Sequence, residues 1–408
     1  MLPLRPAMTR LLIRFLPRFP LVGCIFVFWF LLPPSVSEAV DPETTVAAVL
    51  SRVRQYEFHP LDGEGTFTND RILGKHGIAD VDNEDWRVRL LAISDLVRLL
   101  PDAADDVSQG LFDKNLHVRQ IAAAALGIAR QTTVAGKLEQ VLKDDDSPLV
   151  RSQAAMSLGQ MESNGSLDML RKLRKKDSSR DVQHQCELAI DQIEKKRGAT
   201  DEQLTAFRNL NPKDFESVQV GGKALDFVLK DTEGVPWRLS DVNQNEWIVL
   251  IWIFADWCPV CHGEYRDLID LRKQFKDAGV QVATIECHDT FRSRVMVGKE
   301  LEPQYWFSKQ SFKDKYKTGI WWPHLVDHAG AVGARYGVDP MSFAVHAEYV
   351  NRPSTVIIDP KGVIRFAYYG TFWGDRPSIH ETLEMIRNER FEFEHKDRRK
   401  MVGDQGAK

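Results

Sequence analysis

Two cysteines three positions apart, Cys258 and Cys261, flank Pro259 and Val260 and form the one close thiol pair in this 408-residue chain. At a helix start such a pair has a chemistry of its own. The first thiol meets backbone N–H groups that no helical carbonyl satisfies, together with the positive end of the helix dipole, and both stabilise thiolate. Thiols so placed reach pKa values of roughly 3.5–7.5, against about 8.5 for a free cysteine. Cys258 can then attack a disulfide, while Cys261, one turn along, releases the mixed disulfide. Pro259 at the first helical position gives up no hydrogen bond. The expected cofactor is none beyond this redox-active disulfide. Other chemistries compete for the same residues. Cys258 to His262 satisfies the C-x-x-C-H pattern of covalent c-type haem. Cys258, Cys261, Cys287 and His288 offer four metal ligands if folding converges them. Cys287 alone is either a strand-end bystander or a third redox thiol.

A thiol pair at a helix start needs a strand to deliver it. Trp247 to Phe254 (WIVLIWIF) is an unbroken apolar run, as expected for a strand buried on both faces. After Cys261 a helical pattern runs through Tyr265, Leu268, Leu271 and Phe275 and stops at Gly279, and Val280 to Ile285 reads as the next strand. Strand, helix, strand in that order predicts a parallel pair with a crossover. Both strands then end on one edge, which places the cysteine turn and Cys287-His288 on the same side of the domain. Asp226–Lys230 with Val235–Leu239, and Ser354–Asp359 with Val363–Tyr369, read as hairpins, and a last helix covers Ile379 to Asn388.

The segment 254–264 (FADWCPVCHGE) resembles the active-site segment of TlpA-like thioredoxins within the AhpC/TSA redoxin group. Residues 351–362 (NRPSTVIIDPKG) resemble that family's later strand, and the similarity spans most of residues 218–390. The resemblance implies a thioredoxin-like α/β fold and dithiol–disulfide exchange with protein thiols and a thiol electron donor or acceptor. It implies a cis peptide before Pro353, packed against the cysteine pair and shaping the substrate groove. It also makes Trp257 a neighbour of the reactive thiol and Glu264 a helix residue near it. Two departures matter. Trp252 stands in the strand where thioredoxins often carry a buried acid, which leaves proton transfer to Glu264, water or nothing specific. About 65 residues, Glu286 to Val350, separate the central strands, a long insert holding Trp306, Trp321 and Trp322. Its later part, 323–338, resembles the redoxin segment before the proline strand. A peroxiredoxin-like peroxidase is the competing activity, with Cys261 as the peroxidatic thiol and Arg352 as its arginine. Phe254 and Cys258 depart from that motif.

From Asp85 to Lys196 the chain repeats itself. Val88-Arg89, Val118-Arg119, Val150-Arg151 and Val182-Gln183 open similar segments spaced 30, 32 and 32 residues apart. Ala92, Ala122, Ala154 and Cys186 share one position; Leu96, Leu126, Leu158 and Ile190 share another. Gly127 and Gly159 fall at two helix ends. A fixed period with two helices per unit is a solenoid signature, and segments 118–127 and 150–159 resemble HEAT-like repeats of the phycobilisome-lyase type. Small residues let helices approach while leucines fill the groove. The recurring arginines read as fold-maintaining, Cys186 as a packed thiol, and the array as a surface for protein partners.

The expected architecture is therefore multidomain, an all-α HEAT-like solenoid followed by an α/β thioredoxin-like domain with a long insert. The bounds are 1–39 signal peptide, 40–84 poorly defined with a short helix at Thr44–Tyr56, 85–198 repeats, 199–216 polar linker, 217–394 redoxin domain and 395–408 charged tail. The leader has four arginines, an apolar run from Phe19 to Leu32, and small Ser37 and Ala39 before the cut. Its 14 apolar residues are short for a bilayer span, which needs about 20. Export to a periplasmic or extracellular space is the expectation, with a membrane anchor at 19–32 if the leader stays uncut. Removing it takes the net charge from −4 to −7. With no basic stripe, nucleic acid is not an expected partner. A binding protein whose redox domain has lost activity is the third reading, against which both cysteines and Pro353 are retained.

Overall fold

The periodicity of the repeats becomes a stack of helix pairs. The computed structural model describes residues 44–59, 84–216, 218–242, 245–300, 319–370 and 374–393. The leader, its apolar run, Trp306 and the charged tail lie outside these residues. No helix among the described residues is long and apolar enough to cross a membrane. Asp85–Leu99, Leu116–Ile128, Pro148–Gln160 and Arg180–Glu194 are the first helices of successive units, and Ala135–Asp144 and Leu167–Lys176 are second helices. The helix Val46–Gln55, capped by Thr45, packs ahead of them.

A local device sets the period. Asp113, Asp145 and Asp177 each accept the N–H two residues on, just ahead of a helix N-cap. Arg119 then forks onto Asp145 (2.7 and 2.9 Å), and Arg151 forks onto Asp177 (3.0 and 2.9 Å). Bidentate geometry of this kind fixes orientation as well as charge. Gly127 and Gly159 are each the next-to-last residue of their helix. A Cβ on Gly127 would stand 2.7 Å from Ser157 Cα, and one on Gly159 would stand 3.0 Å from Ala189 Cα. These glycines let adjacent units meet backbone to backbone. Cys186 is fully buried in the alanine slot, and burial pushes its thiol up to about 12.

Residues 199–216, read as a polar linker, contain the helix Asp201–Arg208 docked on the first repeat. Ser94 Oγ donates to Phe207 O, and Arg98 donates to the carbonyls of Arg208 and Leu210. Repeats and sheet belong to one compact unit running from Glu38.

The sheet has seven strands: β1 Val228–Asp231, β2 Pro236–Arg238, β3 Trp247–Trp252, β4 Val280–Glu286, β5 His324–Val326, β8 Ser354–Ile358 and β9 Ile364–Tyr369. A separate hairpin is made by β6 Phe343–Val345 and β7 Glu348–Val350. The sheet order is β2-β1-β5-β4-β3-β8-β9. β3, β4 and β5 are parallel, and β8 is antiparallel to β3. Ile248 to Trp252 on β3 are all buried, each contributing roughly 1.5–3 kcal/mol. The 286–350 stretch is not wholly an insert, because it supplies the interior strand β5 as well as the β6–β7 hairpin. Trp321 and Trp322 pack at its return: Trp321 donates to Leu268 O and Trp322 meets the Tyr265 ring edge-on at 5.1 Å.

Candidate active site

β3 ends at Trp252, and the helix Pro259–Asp270 begins six residues on with Cys258 as its N-cap. Cys258 Sγ accepts the Cys261 N–H at 3.4 Å, and Cys261 Sγ accepts the Phe254 N–H at 3.4 Å. Both sulfurs are fully buried. The sequence expectation put the acidic thiol at Cys258; the structure sets a guanidinium beside Cys261. Burial, followed by the neighbouring Cys261, pushes the Cys258 thiol well above the ordinary value. Burial also opposes a Cys261 thiolate, but Cys258, the Arg376 guanidinium and the Phe254 N–H together hold its pKa below the ordinary thiol value. The two titrate as a pair, with one charge far easier to hold than two.

Arg376 escaped the sequence reading. It lies in the segment leading to the helix Ile379–Arg387, outside every motif. Its Nη2 donates to Cys261 Sγ at 3.4 Å and its Nη1 to Trp252 O at 3.0 Å. Glu264 receives Arg376 Nε at 2.7 Å and Nη2 as well, so Glu264 aims this arginine. Arg352 is the arginine of the peroxidase expectation. It donates to Asp339 Oδ2 at 2.8 Å and Gly370 O at 3.0 Å, beside the Tyr369 ring.

Pro353 is buried at the entry to β8, but its peptide is trans, and Leu100–Pro101 is the cis bond among the described residues. Hydrogen bonds hold its segment extended: Asn351 N–H to Phe254 O (3.2 Å), Arg352 N–H to Asp339 O (3.1 Å) and Gly370 N–H to Pro353 O (2.8 Å). Trans is the ordinary preference of an X–Pro bond. The first of those bonds ties the proline segment to the residues just ahead of the cysteines. Trp257 is buried with its indole N–H on the Glu348 carboxylate, and its ring meets His346 edge-on at 4.5 Å.

Cys287 sits beside Gly330, and burial, then the charges of Glu286 and Asp327, raise its pKa. The four-ligand set with Cys258, Cys261 and His288 does not converge. Among the described residues the metal-capable atoms that do converge are those of Asp256, Glu286 and His288. All three are engaged: Asp256 by the Arg292 fork, Glu286 by His288 at 2.8 Å and His324 at 3.2 Å. Burial lowers the His288 pKa, yet the Glu286 bond and charge overcome it and raise the value to about 9. His262 bonds the Asp256 carbonyl at 2.7 Å, and burial pushes its pKa down to about 4.

A mixed seven-stranded sheet with C-x-x-C at the N-cap after its central strand defines the redoxin class. The AhpC/TSA family profile matches residues 220–367, and HEAT repeats match at 78–155 and 129–191. The thioredoxin-like protein YneN of Bacillus subtilis is 30% identical over 154 residues, covering 38% of this chain and 74% of that protein. The thiol-disulfide oxidoreductase ResA of the same organism is 26% identical over 172 residues (42% and 78%). A peroxiredoxin of Pyrococcus furiosus is 25% identical over 195 residues (46% and 82%). Peroxidoxin BcpB from Mycobacterium tuberculosis, a solved structure, aligns with a TM-score of 0.33 at 22% identity, covering 42% of this chain and 99% of its own. The chain belongs to the thioredoxin-like AhpC/TSA family, carried behind HEAT repeats.

Proposed function

We propose that the chain is a thiol–disulfide oxidoreductase whose redox couple is Cys258/Cys261. The observation that carries this reading is a thiol pair across the first helical turn, with a buried guanidinium 3.4 Å from one sulfur. In the reduced pair one proton is shared, with negative charge favoured on Cys261. Cys258 attacks a substrate disulfide, passing its proton to Cys261, and one substrate sulfur leaves as thiolate. Cys261 then attacks Cys258 Sγ, its proton goes to a departing sulfur, and the second substrate sulfur leaves. Two electrons pass from the pair to the substrate; the reverse sequence oxidises a dithiol. Pro353 contributes by fixing the strand entry beside the pair, and Trp257 by packing on it. No group beyond the two sulfurs is required, and the partners are protein thiols and disulfides. Export by the leader places this chemistry where disulfides persist, and the 85–198 and 217–394 bounds divide repeat from redox domain.

One variant pair tests it. Cys261→Ser leaves Cys258 unable to be released and accumulates mixed disulfides with protein substrates, whereas Cys258→Ser does not. Absence of trapping by either variant would overturn the proposal, and trapping by Cys258→Ser alone would make Cys261 the entering thiol.

A second reading has one observation in its favour: the sulfur paired with a buried arginine is Cys261. As a peroxidase, Cys261 thiolate would cleave the peroxide O–O bond to give a sulfenic acid and, with a proton, water. Cys258 would then condense with it to the disulfide. Peroxide consumption that survives Cys258→Ser would favour this reading.

A further inference from the structure

Disulfide exchange needs a substrate sulfur in line with Cys258 Sγ, yet that atom is fully covered. The β6–β7 hairpin lies in the same buried layer as the pair. Phe343 packs on Phe254 (5.6 Å), His346 on Trp257 (4.5 Å), and Glu348 accepts the Trp257 indole N–H and both terminal nitrogens of Arg292. Its other side is held by the repeats. Gln185 Nε2 donates to Glu348 Oε2 at 2.7 Å, and His346 Nδ1 donates to Asp181 Oδ1 at 3.0 Å. The Tyr349 hydroxyl and His117 Nδ1 share a bond at 3.2 Å. Arg89 makes no bidentate fork like those of Arg119 and Arg151, and lies 3.9 Å from Asp85 of its own helix. It reaches out to Met341 O at 2.8 Å and stacks 4.2 Å above the Tyr349 ring.

The turn of this hairpin points the same way. His346 and Ala347 both have positive φ, 51° and 56°, in a two-residue connection where asparagine and glycine are the residues that fit. Such a turn persists where its surroundings fix it, and here His346 is fixed from both sides, by Trp257 and by Asp181.

We propose that the helical repeats are a latch: they hold the β6–β7 hairpin over Cys258 and Cys261, and the redox centre admits a protein substrate only when the hairpin leaves them. The solenoid edge at Arg89, His117, Asp181 and Gln185 therefore has a segment of this chain as its first ligand. A protein that competes for that edge opens the site. This rests on the reading of Cys258/Cys261 as the redox couple, and the test separates the two. The reduced full chain is treated with N-ethylmaleimide under native conditions and each cysteine is mapped by mass. Asp181→Ala and Gln185→Ala each remove one hydrogen bond accepted by a carboxylate, and each should raise labelling of the pair about tenfold. Labelling of Cys186, buried among the repeats, should not change, which shows that the solenoid stays folded. Hydrogen exchange of residues 343–350 should quicken in parallel. Labelling and exchange within twofold of the unsubstituted chain in both variants overturns the latch. If instead oxidised glutathione joins Cys258 to Cys261 in none of the proteins, the functional reading fails while the labelling ratio still judges the latch.

Discussion

At Cys261 burial works against ionisation, and Cys258, Arg376 and a backbone N–H work for it. The account at this scale stands on Arg376. Arg376→Met should raise the pKa of the thiol pair by about 1–2 units, read as thiolate absorbance against pH; an unmoved curve would remove Arg376 from the chemistry. Glu264→Gln should lower it instead, because the negative charge of the Glu264 carboxylate raises the Cys261 value. A second residue carries a pH signature. The His288 pKa is raised to about 9 from 6.5, so its contribution to stability is fully present below pH 6.5 and is lost as pH climbs through 9. Denaturant midpoints should fall across that window by an equivalent of about 3 kcal/mol, and His288→Gln should flatten the decline. The cysteine pair was legible in the sequence because its spacing carries meaning, and Glu264 through the resemblance of segment 254–264. Arg376, Arg292 and Glu348 were not, since each is a single charge in a segment without period, and only folding brings it to its partner.

Helices and strands were legible wherever burial imposes a period. The 32-residue repeat, the WIVLIWIF strand and the hairpin around Gly362 all follow from patterns that packing requires. β5 was missed as a strand because three residues carry no alternation. β6–β7 was missed because His346-Ala347 is not a turn dipeptide, and its conformation comes from contacts on both sides. The repeat glycines give the test at this scale. Gly127→Ala would drive a methyl against the Ser157 backbone and should cost about 1–3 kcal/mol in thermal or denaturant unfolding. Gly136→Ala, with nothing within 4 Å, should be neutral or slightly stabilising. Equal effects at the two positions would show that the stacking contact is not what Gly127 serves.

The whole molecule joins HEAT-like repeats to a redoxin domain whose two close cysteines are buried. The sequence separated the two correctly in kind, since a 32-residue period and a C-x-x-C after a buried strand are unrelated signals. It could not show that they touch, because Gln185–Glu348 and His346–Asp181 join residues more than 160 positions apart. Electrons are expected to move only through Cys258 and Cys261, with Cys186 packed among the repeats and Cys287, partly exposed, left out of the couple. The direct measurement is an equilibrium titration of the full chain against reduced and oxidised glutathione, with every disulfide mapped at each point. The account predicts one two-electron transition in which Cys258 and Cys261 become bonded to each other, its midpoint marking the chain as reductant or oxidant. A titration that never joins those two sulfurs, or that joins either of them to Cys287 instead, would contradict it.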